Sequence, residues 1–367
     1  MKKKVTMQQI ADYLGVSKFV VSKALSGKGG VSPTTQEKVF EVASKLGYIS
    51  QKKPIQSSIQ NVKADPPVNV EKQTVLILMP NVRYQTKHSV YWGKIVDGIQ
   101  TGLKQAGLGI VILTDSSAEN FSAIINPEAF LGIIGVGLIP TNLLLEINSF
   151  KIPIILVDHE DMLIPTDTIF TNNFDATVAL TNHLIGLGHK NLCFVGNNEW
   201  SRSFNDRWLG FRTTLEKNNY FSCEEKNYHE VSGKDNIEMT SDLYLWLNEK
   251  DKEVDFPTAL VCANDAIALC TVTALNKVGL RVPKDVSVTG FDNTEESYLS
   301  SPTITTVNVP KEEIGLRSVE MLLRRVEKQQ SPFEKVLTIS SILFRDSVLA
   351  PSGEKKSIQS KEAIVKN

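Results

Sequence analysis

The 367-residue chain is poor in the residues that most catalytic and metal-bound proteins lean on, with four cysteines and five histidines. Cys193, Cys223, Cys262 and Cys270 form no Cys-x-x-Cys pair, which argues against a zinc finger or a disulfide framework. They read as mostly buried, reduced thiols of a cytosolic protein. No long apolar run follows the N-terminal Met-Lys-Lys-Lys, so neither a signal peptide nor a membrane span is expected. His159, Glu160 and Asp161 are adjacent ligand types but lack the i, i+4 spacing of a metal-binding helix. Gly132, Gly135 and Gly137 fall inside a strand-like run, not between strand and helix, so a dinucleotide fingerprint is not expected. No Ser/His/Asp or Cys/His arrangement stands at a nucleophile elbow. These gaps point to a protein that is not an enzyme, with no catalytic residue, metal or cofactor.

Excess charge is missing too. The formal net charge is -1, so the whole chain is no general polyanion binder. The cations cluster instead at one end: Lys2, Lys3, Lys4, Lys18, Lys23 and Lys28, then Lys45, Lys52 and Lys53. The first lysines either lie near phosphate or form a solvated terminus. Within this basic region, residues 5–47 read as three short helices. Thr6 and Gln9 are spaced as a capping box. Ile10, Ala11 and Leu14 share one face, and Gly15 suits a tight turn. Ser17 is an N-cap for a second helix with Val20, Val21, Ala24 and Leu25 on its apolar side. Ser32-Pro33 starts a third, with Val39, Val42, Ala43 and Leu46 as its stripe. Two helices joined at Gly15-Val16 match a helix-turn-helix. Lys18, Phe19, Ser22 and Lys23 stand on the polar side of the second helix, where they can reach phosphates and base edges of a major groove.

These residues resemble the headpiece of the lactose/galactose repressor (LacI/GalR) family. The shared pattern is V-T-x-x-x-[VI]-A-x-x-x-G-V-S-x-x-[TV]-V-S-[RK], matched at Ala11, Gly15, Val16, Ser17, Val21, Ser22 and Lys23. Lys23 stands where many relatives carry Arg, and lacks the planar fork that pairs with guanine. The resemblance implies DNA contacts from Thr6, Ser17, Lys18, Phe19, Ser22 and Lys23.

Residues 51–73 are polar and contain Pro54, Pro66 and Pro67, a linker by composition. From residue 74 short apolar runs alternate with helical stretches. Strands are expected at 75–79, 110–113, 133–138, 152–157, 192–195, 259–262 and 286–289. Helices are expected at 90–106, 176–187, 207–217, 237–249 and 266–278. This texture predicts parallel, doubly covered sheets of an α/β protein. The stretches 152–158, 183–196, 207–211, 259–269, 279–293 and 301–315 are similar to the rest of the same family. They imply a periplasmic-binding-protein-like core of two Rossmann-like lobes. The expected organisation is a headpiece over 1–50, a linker or hinge over 51–73, a core over 74–348 and a disordered tail over 349–367. One lobe takes about 74–170 with 308–330, and the other 171–307 with 331–348. The chain would cross between lobes near 170, 307 and 330.

Ligands of open α/β sheets bind off the carboxyl ends of strands. Asp158, Asn264 and Asp292 stand at such ends, and Arg207 at the start of a helix. Together they can hold several hydroxyls at fixed angles. In the family the residues matching Arg207, Asn264 and Asp292 contact the effector, and the one matching Asp158 often does. The plainer role for each is a loop cap or a surface ion pair. Tyr91 and Trp92 are candidates to line the cleft with an aromatic surface, Trp92 being equally fit for the core, and Trp200 is a further candidate. The resemblance implies a cytoplasmic, nucleoid-associated bacterial regulator, a repressor working as a homodimer on double-stranded operator DNA. Its effector would be a sugar or sugar derivative bound between the lobes. A nucleobase effector, a protein co-regulator, or a sugar-metabolising enzyme with a helical accessory domain are the alternatives.

The linker departs from the family pattern. Relatives carry a hinge helix with an Ala and, three residues on, a Leu that wedges into the minor groove. Pro54 and Ser57 occupy those positions here. Ile59, with Ile55 and Val62, could form a displaced hinge face, and Ile59 is the one plausible wedge. Disorder is expected over 52–72 in the free protein.

Overall fold

Thr6 and Gln9 close the capping box that their spacing predicts. The Gln9 amide donates to Thr6 Oγ1 at 3.4 Å, and the Thr6 amide donates to Gln9 Oε1 at 2.9 Å. This starts α1 (Met7–Leu14), which ends at Gly15 with φ 64, a conformation that side chains with a Cβ rarely take. Ser17 Oγ then accepts the Val20 amide at 3.3 Å at the head of α2 (Lys18–Ser26). Further on, Ser32 Oγ accepts the Thr35 amide at 3.2 Å. Thr35, Lys38, Val39, Val42 and Ala43 are helical. Ile10, Ala11, Val21, Ala24, Val39, Val42 and Ala43 bury one another in a small core of their own. The computed structural model describes residues 6–26, 32, 35, 38–39, 42–43, 73–80, 90–114, 125–233, 235–250 and 256–351. The chain divides into two units, Met1–Asn69 and Val70–Asn367.

In the second unit the chain runs β1 (Thr74–Leu78), α3 (Val90–Gln105), β2 (Gly109–Leu113), β3 (Gly132–Val136), α4 (Thr141–Ser149), β4 (Ile154–Val157) and β5 (Asp167–Thr171). It continues through α5 (Asn173–Gly186), β6 (Leu192–Gly196), α6 (Arg202–Lys217), α7 (Glu224–Asn227), β7 (Tyr228–Glu230), α8 (Asn236–Lys250), β8 (Ala259–Cys262) and α9 (Asp265–Lys277). The last elements are β9 (Ser287–Phe291), α10 (Glu295–Leu299), β10 (Thr305–Asn308), α11 (Lys311–Glu327), β11 (Lys335–Thr338) and β12 (Ser341–Leu343).

Two six-stranded sheets result, ordered β11-β5-β4-β3-β1-β2 and β12-β10-β9-β8-β6-β7. All pairs are parallel except β10 with β12. Apolar residues continue along β1 because both of its faces are covered. Val75 and Ile77 pack with Ile95, Ile99 and Leu103 of α3, while Leu76 and Leu78 pack with Leu143, Leu144 and Ile147 of α4. Helices α3 and α11 approach until their backbones touch. A Cβ on Gly98 would lie 2.1 Å from the Glu312 carbonyl oxygen, and one on Gly315 would lie 2.2 Å from that of Ile95. The buried Arg325 forks onto Asp167 at 2.6 and 2.9 Å, and Asp167 also accepts the Glu334 amide at 2.8 Å. That contact lays β11 beside β5.

The third crossing between lobes therefore lies between Thr338 and Ser341, not near residue 330, since β11 still belongs to the first sheet. Helix α6 starts five residues before its expected start at 207, because Ser201 Oγ caps it by accepting the Phe204 amide at 3.3 Å. The tail does not begin at 349. Ser287 Oγ donates to the Leu349 carbonyl at 3.0 Å and accepts the Leu349 amide at 3.1 Å. The linker and its proposed wedge Ile59, Leu46 of the third stripe, and the tail from 352 onward lie outside the described residues.

Candidate functional site

Asp158 follows β4 of the first lobe, and Asp292 follows β9 of the second. Both hold left-handed backbone, at φ 55 and φ 109, where short polar side chains are the tolerated non-glycine residues. Asp158 accepts a short hydrogen bond from the Ser203 hydroxyl on the first turn of α6, so it reaches across the cleft between the lobes. One turn further, the buried guanidinium of Arg207 binds three ways. Nε donates to Asn173 Oδ1 at 2.8 Å, Nη1 to the Ala263 carbonyl at 2.6 Å, and Nη2 to Asp292 Oδ1 at 3.3 Å. Its face lies 3.7 Å from the ring centre of Phe291, a cation–π contact. Tyr91 comes in from the first turn of α3, where its phenol feels the charges of Asp158, Asp292 and Arg207. Asp158, Tyr91, Arg207 and Asp292 thus surround one place.

Asn264 is placed differently. Its Oδ1 accepts the Ile267 amide at 2.9 Å and caps α9, the plainer of the two roles its position allowed. Trp92 packs on the main core and stands edge-on to Tyr91 at 4.8 Å. Trp200 packs on Phe204 at 5.8 Å. Three members of the site carry no sequence signal of their own, Ser203, Asn173 and Phe291, and the buried Lys311 carries one. The Lys311 ammonium donates to the carbonyls of Asp292, Asn293 and Val309. A lysine in the first turn of a helix opposes the helix dipole, and that oddity was the available clue.

Burial sets the electrostatics. It pushes Asp158 up to about 6, against the pull of Ser203 and Arg207. It pushes Asp265, which accepts from Thr306 and the Thr294 amide, up to about 7. Asp292 is also raised by burial despite its Arg207 partner, so desolvation outweighs the ion pair there. Burial raises the Tyr91 phenol, and the two carboxylates add to this. Carboxyls raised above the unfolded value of about 3.9 favour the fold when protonated. That contribution is full below about pH 4 and is lost as pH rises through about 6 for Asp158 and about 7 for Asp265. Urea unfolding of the full chain should therefore show Asp158→Asn gaining on the parent chain as pH rises from about 4 to 7, by on the order of 1–3 kcal/mol. A difference between the two chains that does not change with pH would contradict the assignment.

Around this place Arg202 bridges the lobes. It pairs with Glu160 of the first lobe and with Asp206 at 3.2 Å, and lies over Phe170 of β5 at 5.2 Å. Lys335 holds the other oxygen of Glu160. Beside them, Leu138, Ile139, Pro140, Thr141, Met162 and Leu163 line an open cavity of about 610 Å³ outside the carboxylate cluster. Among the described residues no group of His, Cys, Asp and Glu has the geometry for a metal ion, and no helix is long and apolar enough to cross a membrane. All four cysteines are free thiols, with Cys193, Cys262 and Cys270 buried.

On the first unit, Lys18, Phe19 and Ser22 are exposed along α2, and Lys23 is half-buried with its ammonium 5.1 Å from the Phe19 ring centre. Phe19 and Tyr13 leave 68% and 70% of their surface in solvent, unusual for large aromatics on so small a body. Tyr13 is the exposed group the sequence reading passed over. Thr6 and Ser17 face solvent while serving as caps; the Thr6 hydroxyl also donates to Gln9 Oε1 at 3.3 Å, whereas the Ser17 hydroxyl keeps its proton for a phosphate oxygen.

Comparison with known proteins gives two family matches, to "Bacterial regulatory proteins, lacI family" over residues 6–51 and to "Periplasmic binding protein-like domain" over residues 181–348. A protein of Bacillus subtilis (strain 168) named Probable HTH-type transcriptional repressor ExuR is 24% identical, over 94% of this chain and 98% of its own length. The structure of a transcriptional regulator CelR–cellobiose complex superposes with a TM-score of 0.67 at 20% identity, covering 94% of this chain and 99% of that one. That of a lac repressor dimer bound to operator and the anti-inducer ONPF gives a TM-score of 0.64 at 23% identity, covering 95% and 100%.

Proposed function

Because the chain belongs to the lacI family of bacterial regulatory proteins, we propose that it is a sequence-specific transcriptional repressor controlled by a small effector, and not an enzyme. The observation that carries this reading is the exposed face of α2 after the Gly15 turn, with Lys18, Phe19 and Ser22 turned to solvent, the half-buried Lys23 beside Phe19, and a buried headpiece core behind them. A homodimer would place one headpiece on each half-site of a pseudo-palindromic duplex in the bacterial cytoplasm. The effector, a sugar or sugar derivative, would sit among Asp158, Tyr91, Arg207 and Asp292 and change how the lobes pack. Coupling of this kind is typically about 1–3 kcal/mol and reciprocal between ligand and DNA. Repeated selection from random duplexes tests it: the full chain should enrich a two-fold symmetric site. Failure to enrich any sequence overturns the reading.

On the enriched site, Lys23→Ala should weaken binding by about 1–3 kcal/mol more than on random DNA, since Phe19 holds its ammonium on the exposed face. Equal losses on both duplexes would make Lys23 a phosphate contact only.

A further inference from the structure

We propose that the cleft takes an uncharged ligand rich in hydroxyl donors and turns away anionic ones, sugar phosphates and sugar acids included. The proposal deepens the effector reading above and rests on it.

Every described cation at the cleft is already compensated within the chain. Arg207 faces Asp292 at 3.3 Å, with two further N–H groups on Asn173 and Ala263. Lys311 is held by three backbone carbonyls beneath Asp292. Arg202 lies between Glu160 and Asp206, and Lys335 holds Glu160. The acceptors are in the opposite condition. Asp158 receives a side-chain donor only from Ser203, and Asp292 only from Arg207, among the described residues. One oxygen of each carboxylate therefore remains for a ligand. The Tyr91 hydroxyl, beside both, has no hydrogen bond among the described residues.

A ligand anion entering here meets the half-buried Asp158 and the buried Asp292 carboxylates, and among the described residues every cation at the cleft already has a partner. Like charges repel more strongly in a partly desolvated cleft than in open solvent. A hydroxyl donor meets the reverse situation. It forms a charge-assisted hydrogen bond with a carboxylate oxygen that has no side-chain donor among the described residues. Arg207 has five N–H groups, of which three are placed, so the remaining two can donate to ring or hydroxyl oxygens of an uncharged molecule. Phe291 behind the guanidinium keeps that plane in position.

The test is calorimetry and thermal shift on the full chain with matched pairs: glucose with glucose 6-phosphate and glucuronate, ribose with ribose 5-phosphate, cellobiose with cellobionate. At least one neutral member should bind, with its anionic partner at least about tenfold weaker, a gap of about 1.4 kcal/mol. In Asp158→Asn, whose folding is checked by its ligand-free melting temperature, the neutral sugar should weaken and the gap to its anionic partner should narrow. An anionic member that binds as tightly as its neutral partner overturns the proposal and leaves effector control standing. If no member of any pair binds while operator binding persists, the effector reading of the cleft fails and this inference fails with it.

Discussion

Gly315→Ala is expected to lower the melting temperature of the full chain by about 5–10 °C, from a loss of about 2–3 kcal/mol. The added methyl would sit 2.2 Å from the Ile95 carbonyl oxygen and 2.8 Å from the Ile99 nitrogen. Both neighbours are backbone, so no rotamer change relieves the contact. Helices α3 and α11 must move apart, which unpacks Ile95, Ile99, Ile314 and Leu322 from the shared core. Alanine's higher helix propensity returns about 1 kcal/mol, which the overlap exceeds. Gly98→Ala should behave alike, its methyl meeting the Glu312 carbonyl at 2.1 Å. Gly186→Ala is the control, for nothing lies within 4 Å of its Cβ position. A melting temperature for Gly315→Ala within a degree of the parent chain would show that the helices are not in backbone contact.

Arg207→Ala is expected to abolish the effector response and to destabilise the core by about 3–5 kcal/mol. A simple ligand contact would predict the first effect without the second. The second follows because removing the guanidinium leaves the Asp292 carboxylate buried with Lys311 as its nearest remaining cation, and the Ala263 carbonyl and Asn173 oxygen lose their donors. Arg207→Lys should recover little, since one ammonium cannot span three acceptors lying in different directions. Arg207→Ala with Asp292→Asn should be less unstable than the sum of the single changes, because the orphaned charge goes as well. Denaturant unfolding and ligand titration on the parent chain, the three single variants (Arg207→Ala, Arg207→Lys and Asp292→Asn) and the double variant separate the two effects. Retention of ligand affinity within about twofold of the parent by the stable double variant would remove both residues from the binding site.

The headpiece was legible in the sequence because its signals are local. Thr6 with Gln9, Gly15, Ser17 and Ser32 each fix a cap or turn within four residues. The strands of the two lobes were legible where both faces are buried and the apolar run is unbroken, as in β4 and β8. Strand β5 escaped because Asp167, Thr168 and Thr171 break the run; Asp167 holds Arg325, while the buried Thr168 and Thr171 hydroxyls find no hydrogen-bond partner among the described residues. β11 and β12 escaped because edge strands keep one face in solvent and alternate weakly. At the site, Asp158, Arg207 and Asp292 were readable from strand and helix ends. Ser203 and Asn173 were not, since they join the site through contacts with Asp158 and Arg207 that only the tertiary fold brings about.

The touching pair α3 and α11 has a consequence for how the protein is made. Glycines 98 and 315 face each other across a helix pair whose members leave the ribosome some two hundred residues apart. Until α11 emerges, Ile95, Ile99 and Leu103 have no partner helix, and the first sheet still lacks β11. The whole second lobe up to β10 is synthesised in that interval. The usual order, in which the N-terminal domain finishes first, therefore does not hold within the core. The first lobe waits as an incomplete, partly apolar body, and closing so long a loop is slow and exposes it to association during the wait. The nascent chain's period of greatest need for chaperones falls in mid-synthesis and ends only when the strand after α11 has left the exit tunnel.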